Sequence, residues 1–232
     1  MKKSQLFLLI LLILVADQAL KLWIKTTYPT GEVVRVLGLD WFRIHFIENS
    51  GMAWGWQFGN ETGKVILTLF RLAAVVGGTW YLLKLIREKY SKGFLICAGL
   101  IYAGAAGNLI DSMFYGMIFD KGLHFSPVLN EYVGYMGVAE LSGKGYGSFL
   151  HGSVVDMLYF PIVNGILPEW IPVFGGQPFE FFSPIFNIAD ASISVGVITL
   201  LLFQKRLLEK PEESTGATGV TDRTVSDTTE TM

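Results

Sequence analysis

Four stretches of the chain stay apolar with few breaks: Leu6 to Ile24, Val65 to Ile86, Gly93 to Tyr115 and Pro184 to Phe203. Each is long enough for the ~20 residues a helix needs to cross a bilayer core, so the pattern predicts four transmembrane helices. Lys2 and Lys3 precede the first stretch as they would precede a cleavable signal. Apolar character resumes past Asp17 and Gln18 through Leu20, Leu22, Trp23 and Ile24, so it reads as a span. Between the first two spans, Val33-Val34-Arg35-Val36 and Trp41-Phe42-Arg43-Ile44-His45-Phe46 flank Gly38 and read as short strands. The connection from Gly116 to Ser183 is rich in glycine, aromatics and proline. The tail from Pro211 to Met232 is polar, has no apolar period and is expected to be disordered. The expected organisation is one four-span membrane domain over residues 1–210, whose segments 25–64 and 116–183 form a small outer cap containing β-structure.

Composition agrees with lipid as the solvent. Charged residues make up 16% of the chain, mean hydropathy is +0.45, and a soluble domain carries roughly 25% charge. A net charge of −2 offers no basic field for nucleic acid. Cys97, the single cysteine, lies in an apolar run and reads as a small buried hydrophobe. Basic residues gather at Lys2 and Lys3, at Lys84, Arg87, Lys89 and Lys92, and at Lys205, Arg206 and Lys210. With four spans all three groups share one face, which the positive-inside rule makes cytoplasmic. Both termini are then cytoplasmic and the two long connections lie outside. Lys25 and Lys64 run against this pattern.

The polar residues within the spans add chemistry. Asp17 and Lys21, Arg71, Asn108 and Asp111, and Asn187 and Asp190 all fall in the outer third of their spans when depth is counted at ~1.5 Å per residue. Ionisable residues in lipid mark function by default, and four separate segments agree on one depth. Asp17 and Lys21 are spaced i,i+4 for an ion pair. The two Asn-x-x-Asp patterns each put an amide and a carboxylate on one helix face, where the amide could hold the acid in position. Interhelical hydrogen-bond glue is the structural alternative for these patterns, and for Arg71 it is snorkelling or neutralising a carboxylate. Gly99, Ala103, Gly104, Ala106 and Gly107 suit close helix packing.

The chain has no serine nucleophile motif, and His45, His124 and His151 lie outside the spans without metal-ligand spacing. No metal or cofactor is expected. Carboxylates remain: two held close cannot both ionise and share a proton, so one can activate water while the other polarises a carbonyl. Asp111, Asp156 and Asp190 are the candidates at the outer edge, and the residues alone leave open which two form the pair.

Five blocks carry a resemblance: Asp17-Gln18-Ala19-Leu20-Lys21, Asn49-Ser50-Gly51-Met52-Ala53-Trp54-Gly55, Gly104-Ala105-Ala106-Gly107-Asn108-Leu109-Ile110-Asp111, Val154-Val155-Asp156 and Phe186-Asn187-Ile188-Ala189-Asp190. In this order and topology the chain resembles the bacterial lipoprotein signal peptidase (signal peptidase II) family. The resemblance implies an all-α membrane bundle of four transmembrane helices with a periplasmic β-cradle. It implies an aspartic endopeptidase that removes the signal peptide from diacylglyceryl-modified prolipoproteins, cutting before the lipidated cysteine. It implies Asp156 and Asp190 as the catalytic pair, with Asp17, Lys21, Asn49, Gly51, Asn108, Asp111 and Asn187 in support. The expected setting is the bacterial cytoplasmic membrane, with a monomeric chain, lipid and prolipoprotein as partners, and the site near the outer face. A small ion- or proton-coupled transporter is the alternative, but the charges gather near one face and there is no inverted repeat.

The chain departs from the family pattern in places. Ser112 replaces the usual Arg after Asp111, which raises Arg71 as a substitute partner for that carboxylate. The stretches 116–153 and 161–183 are expanded. The first ends immediately before Asp156 and is expected to form an outer flap bordering the entrance for the lipid-bearing substrate.

Overall fold

The structure, a computed structural model, describes residues 2–51, 61–181 and 183–208, apart from the side chain of Asn164. The Met52-Ala53-Trp54-Gly55 part of the second block and the tail expected to be disordered lie outside the described residues.

Among the described residues, four helices are long and apolar enough to cross a membrane. They are α1 (Lys3–Thr27), α2 (Glu61–Arg87), the span that begins as α3 (Lys92–Ile110), and α5 (Ile188–Leu208). The third span continues through a π-helical turn at Asp111–Tyr115 and one last turn, α4 (Gly116–Ile118). Hydrocarbon offers no partner for backbone N–H and C=O groups, so an apolar segment of this length satisfies them within its own helix. Phe7 and Leu12 of α1, Phe70 and Trp80 of α2 and Leu202 of α5 point outward, as residues facing lipid would. The α3 helix touches all three other spans. A Cβ on Gly104 would lie 2.2 Å from the carbonyl oxygen of Ala189, so glycine is what lets α3 and α5 pack backbone to backbone. At the other end of the bundle, Leu6, Ile10, Leu82, Leu85, Phe94 and Leu95 form an apolar core. There Ser91 caps α3 by accepting from the Phe94 N–H at 3.2 Å, and its hydroxyl donates to the Leu207 carbonyl at 2.6 Å.

A four-stranded antiparallel sheet sits over the bundle end that carries the polar residues. Its strands are β1 (Val33–Arg35), β2 (Arg43–Asn49), β5 (Val154–Tyr159) and β8 (Ile185–Phe186), in the order β1-β2-β5-β8. Two ribbons stand apart: β3 (His124–Ser126) with β4 (Glu131–Val133), and β6 (Val163–Ile166) with β7 (Pro178–Phe181). Both strands expected in the first long connection are present. The apolar segment holding Asp156 is β5, buried from Val154 to Met157.

The fourth span is shifted from expectation: Pro184 to Asn187 are not helical, and Ile185 and Phe186 extend the sheet. Hydropathy cannot separate a short buried strand from a helix start. The helix begins where Asn187 caps it, its Oδ1 accepting from the Asp190 N–H at 2.8 Å. The 116–153 stretch is an integral part of the fold. It returns along the π-turn, with Gly152 N donating to Ser112 O at 2.9 Å, Leu150 N to Met113 O at 3.2 Å and Gly147 N to Gly116 O at 2.8 Å. Carbonyls at the end of the third span thereby find partners.

Candidate active site

The buried Lys21 ammonium organises one half of the site. It reaches Asp111 Oδ2 at 2.7 Å, Asp17 Oδ2 at 2.8 Å and Asn108 Oδ1 at 3.0 Å. Three donors meet three acceptors, so the cation is fully satisfied although its side chain is shielded from solvent. The Asp17–Lys21 pair predicted by i,i+4 spacing is therefore present, but as part of a larger cluster. Gln18, one residue from Asp17, donates to Asp111 Oδ1 at 2.8 Å and accepts from the Tyr115 hydroxyl at 3.1 Å. Asp17 Oδ1 accepts from the Ala189 N–H at 2.9 Å. Asp17 and Asn187 thus satisfy two of the orphan donors in the first turn of α5.

Two amides join this cluster to the remaining carboxylates. Asn108 Nδ2 donates to Asp190 Oδ1 at 2.7 Å, and Asn187 Nδ2 donates to Asp156 Oδ1 at 2.7 Å. The amides bond each other, Asn187 Nδ2 to Asn108 Oδ1 at 3.1 Å. The Asn-x-x-Asp patterns therefore work differently from the expectation that each amide holds the acid one turn along its own helix. Asn108 on α3 holds Asp190 of α5, while Asn187 holds Asp156 of β5. Asp111 is gripped by Lys21 and Gln18.

Asp156 is buried, and Asp190 is only partly so. Burial, reinforced by the neighbouring Asp190 carboxylate, pushes the Asp156 carboxyl up to about 7 from 3.8. Asn49 Nδ2 approaches Asp156 Oδ2 at 3.4 Å, and Asn49 Oδ1 accepts from the Gly51 N–H at 2.9 Å. Gly51 has φ +100°, and a Cβ there would lie 2.4 Å from Leu67 Cδ2. The left-handed backbone of this turn favours glycine.

Arg71 does not replace the missing partner of Asp111, because Lys21 occupies that position. Its Nη1 donates to Ser112 Oγ at 2.8 Å, and Ser112 in turn donates to the Asn108 carbonyl at 2.9 Å. The small Ser112 side chain thus lets Arg71, from another helix, approach the end of the third span. Arg71 lies within electrostatic reach of Asp190, Asp111 and Asp156.

Sequence reasoning missed a second polar cluster. Lys25 pairs with Glu48, both side chains buried. Glu48 also accepts from the Tyr135 hydroxyl at 2.7 Å and the Leu123 N–H at 2.8 Å. Lys25 Nζ stands 4.9 Å from the Phe119 ring centroid. Lys64 Nζ donates to Ser153 Oγ at 2.9 Å. The signal was present: Lys25 and Lys64 were the two cations that broke the orientation pattern, and both are internal partners of the cap.

The pattern that defines signal peptidase (SPase) II matches residues 9–205 of the chain. A lipoprotein signal peptidase of Porphyromonas gingivalis is 45% identical over 199 residues, covering 85% of this chain and 81% of that protein. One from Amoebophilus asiaticus is 35% identical over 221 residues, covering 94% of this chain and 85% of that protein. A bacterial membrane enzyme solved by the in meso method superposes with a TM-score of 0.53 at 26% identity, covering 91% of this chain and 94% of its own.

Proposed function

The chain belongs to the signal peptidase II family, and from that membership we propose that it removes signal peptides from diacylglyceryl-modified prolipoproteins with water activated between Asp156 and Asp190. The observation that carries the assignment is the crossed amide pair. Asn108 and Asn187, bonded to each other, each hold one carboxylate, and those two carboxylates come from different elements. Asp111 is instead neutralised by Lys21, which leaves it a supporting part.

The pair carries one proton at rest. Asp156, pushed up to about 7, holds it. Its partner Asp190 stands in the first turn of α5 and serves as the base. Asp190 takes a proton from water as the water oxygen bonds to the scissile carbonyl carbon. Asp156 donates to the carbonyl oxygen, so the tetrahedral intermediate forms without a free charge. On collapse the C–N bond breaks, the leaving amine takes the proton from Asp190, and Asp156 recovers its own from the hydroxyl. Asn108 and Asn187 position the two acids throughout.

The site lies where an outer-leaflet substrate would present its bond, if the basic span ends face the cytoplasm and both termini lie there. A signal peptide would occupy lipid beside the bundle, with the lipidated cysteine at the bacterial cytoplasmic membrane's outer surface. The test uses the full chain in lipid nanodiscs with a diacylglyceryl-modified prolipoprotein. Mass spectrometry should find a new N-terminus at the lipidated cysteine and no product from the unmodified precursor. Equal cleavage of both precursors would contradict the reading.

A further inference from the structure

The β6–β7 ribbon lies outside the carboxylate cluster, yet it exposes several large apolar side chains. Between Pro161 and Ser183 the only charged residues are Glu169 and Glu180. Ile166, Trp170 and Val173 are 75%, 80% and 85% exposed, and Phe174 and Phe181 are exposed as well. The four ladder pairs, Val163↔Phe181 to Ile166↔Pro178, join only the two strands to each other. The Tyr159 hydroxyl ties the ribbon to β5 by donating to Glu180, but a two-stranded ribbon is marginal in water, and large apolar side chains gathered on one exposed feature mark an interaction site.

The position of the ribbon says what covers it. Tyr159 pairs with Ile185 in the main sheet, β6 starts four residues after Tyr159, and β7 ends four residues before Ile185. At ~3.4 Å per extended residue both feet of the ribbon stay within roughly 14 Å of that pair. Ile185 is itself three residues from the start of the membrane span α5. The ribbon is thus tethered at both ends to the place where the chain enters lipid. Tryptophan and phenylalanine among proline and aliphatic residues, with no Lys or Arg, suit the boundary between headgroups and acyl chains.

We propose that the β6–β7 ribbon is a lipid-surface anchor whose tip, around Trp170, Val173 and Phe174, inserts into the leaflet on the sheet side of the bundle. Such insertion would hold β5 and β8, the two strands the ribbon connects, and with β8 the start of α5, at a fixed height relative to the bilayer surface. The anchor does not depend on the catalytic assignment. It is tested by placing a nitroxide at Val173→Cys in a Cys97→Ala background, in the full chain in phosphatidylcholine/phosphatidylglycerol nanodiscs, with Lys144→Cys as the exposed reference. Normal unfolding temperature and prolipoprotein cleavage show that each labelled protein is folded. Collisions at Val173 should favour lipid-soluble oxygen over a water-soluble nickel chelate, with a depth of roughly 5–10 Å below the headgroups, while Lys144 shows the reverse. A Val173 label as open to the nickel chelate as Lys144 overturns the proposal. So does a label shielded from both reagents, which would mean that protein covers the tip.

Discussion

Lys21 shows how a cation becomes tolerable between membrane helices. Its three donors are matched by Asp17, Asp111 and Asn108, so the penalty of burial is met by charge and hydrogen bonding together. Lys21→Met removes the cation and leaves two carboxylates buried side by side. The expected loss is about 3–5 kcal/mol of stability, seen as a lower unfolding temperature in detergent by intrinsic fluorescence. Asp156 makes the opposite bargain, keeping a proton instead of a counter-ion. Its carboxyl is raised from 3.8 to about 7 in the folded chain, so the folded state binds this proton more tightly than the unfolded one. The resulting stabilisation is complete below pH 3.8 and is lost as pH rises through about 7. Asp156→Asn should therefore flatten the dependence of unfolding temperature on pH between those limits. An unchanged slope would remove Asp156 as the holder of the shared proton.

At the scale of elements, the start of α5 links fold to chemistry. Asn187 ends a strand, caps a helix through Oδ1 and holds Asp156 through Nδ2. Asn187→Asp separates these tasks, because the new carboxylate can still cap the helix but has no donor for Asp156. The variant should keep most of its thermal stability relative to Asn187→Ala. It should still lose cleavage by ~100-fold or more, the scale expected when a reacting group is misplaced by about 1 Å. Comparable unfolding temperatures for the two variants would show that the cap is not what Asn187 contributes to folding. Much of this region was legible in the sequence. Apolar run length located the spans, and the common depth of Asp17, Lys21, Asn108, Asp111, Asn187 and Asp190 foretold one cluster. The Asp17–Lys21 pair was legible from its spacing, but the partnerships between elements were not, because an i,i+3 pattern says which residues share a face but not which neighbour they meet across it. Ile185 and Phe186 were misread as helix for a related reason, since a strand against a span reads as the span's continuation.

Across the whole molecule, the chain closes its polar end with parts far apart in sequence. β2 and β5 bring Asn49 beside Asp156, α3 and α5 meet at Gly104, and the long insertion supplies Ser153 and Tyr135 to the buried Lys64 and Glu48. Long-range closure of this kind leaves little trace in local composition. The expanded connection was expected as an outer flap bordering the entrance, and composition gave no sign that it also supplies partners to buried Lys64 and Glu48. The central claim is that Asp156 and Asp190 together activate water, and single-turnover cleavage of a diacylglyceryl-prolipoprotein by Asp156→Asn and Asp190→Asn tests it most directly. Both variants should insert, fold and bind the precursor while cleaving at least ~1,000-fold more slowly, as removal of an essential acid or base requires. Near-normal cleavage by either folded variant would contradict the account.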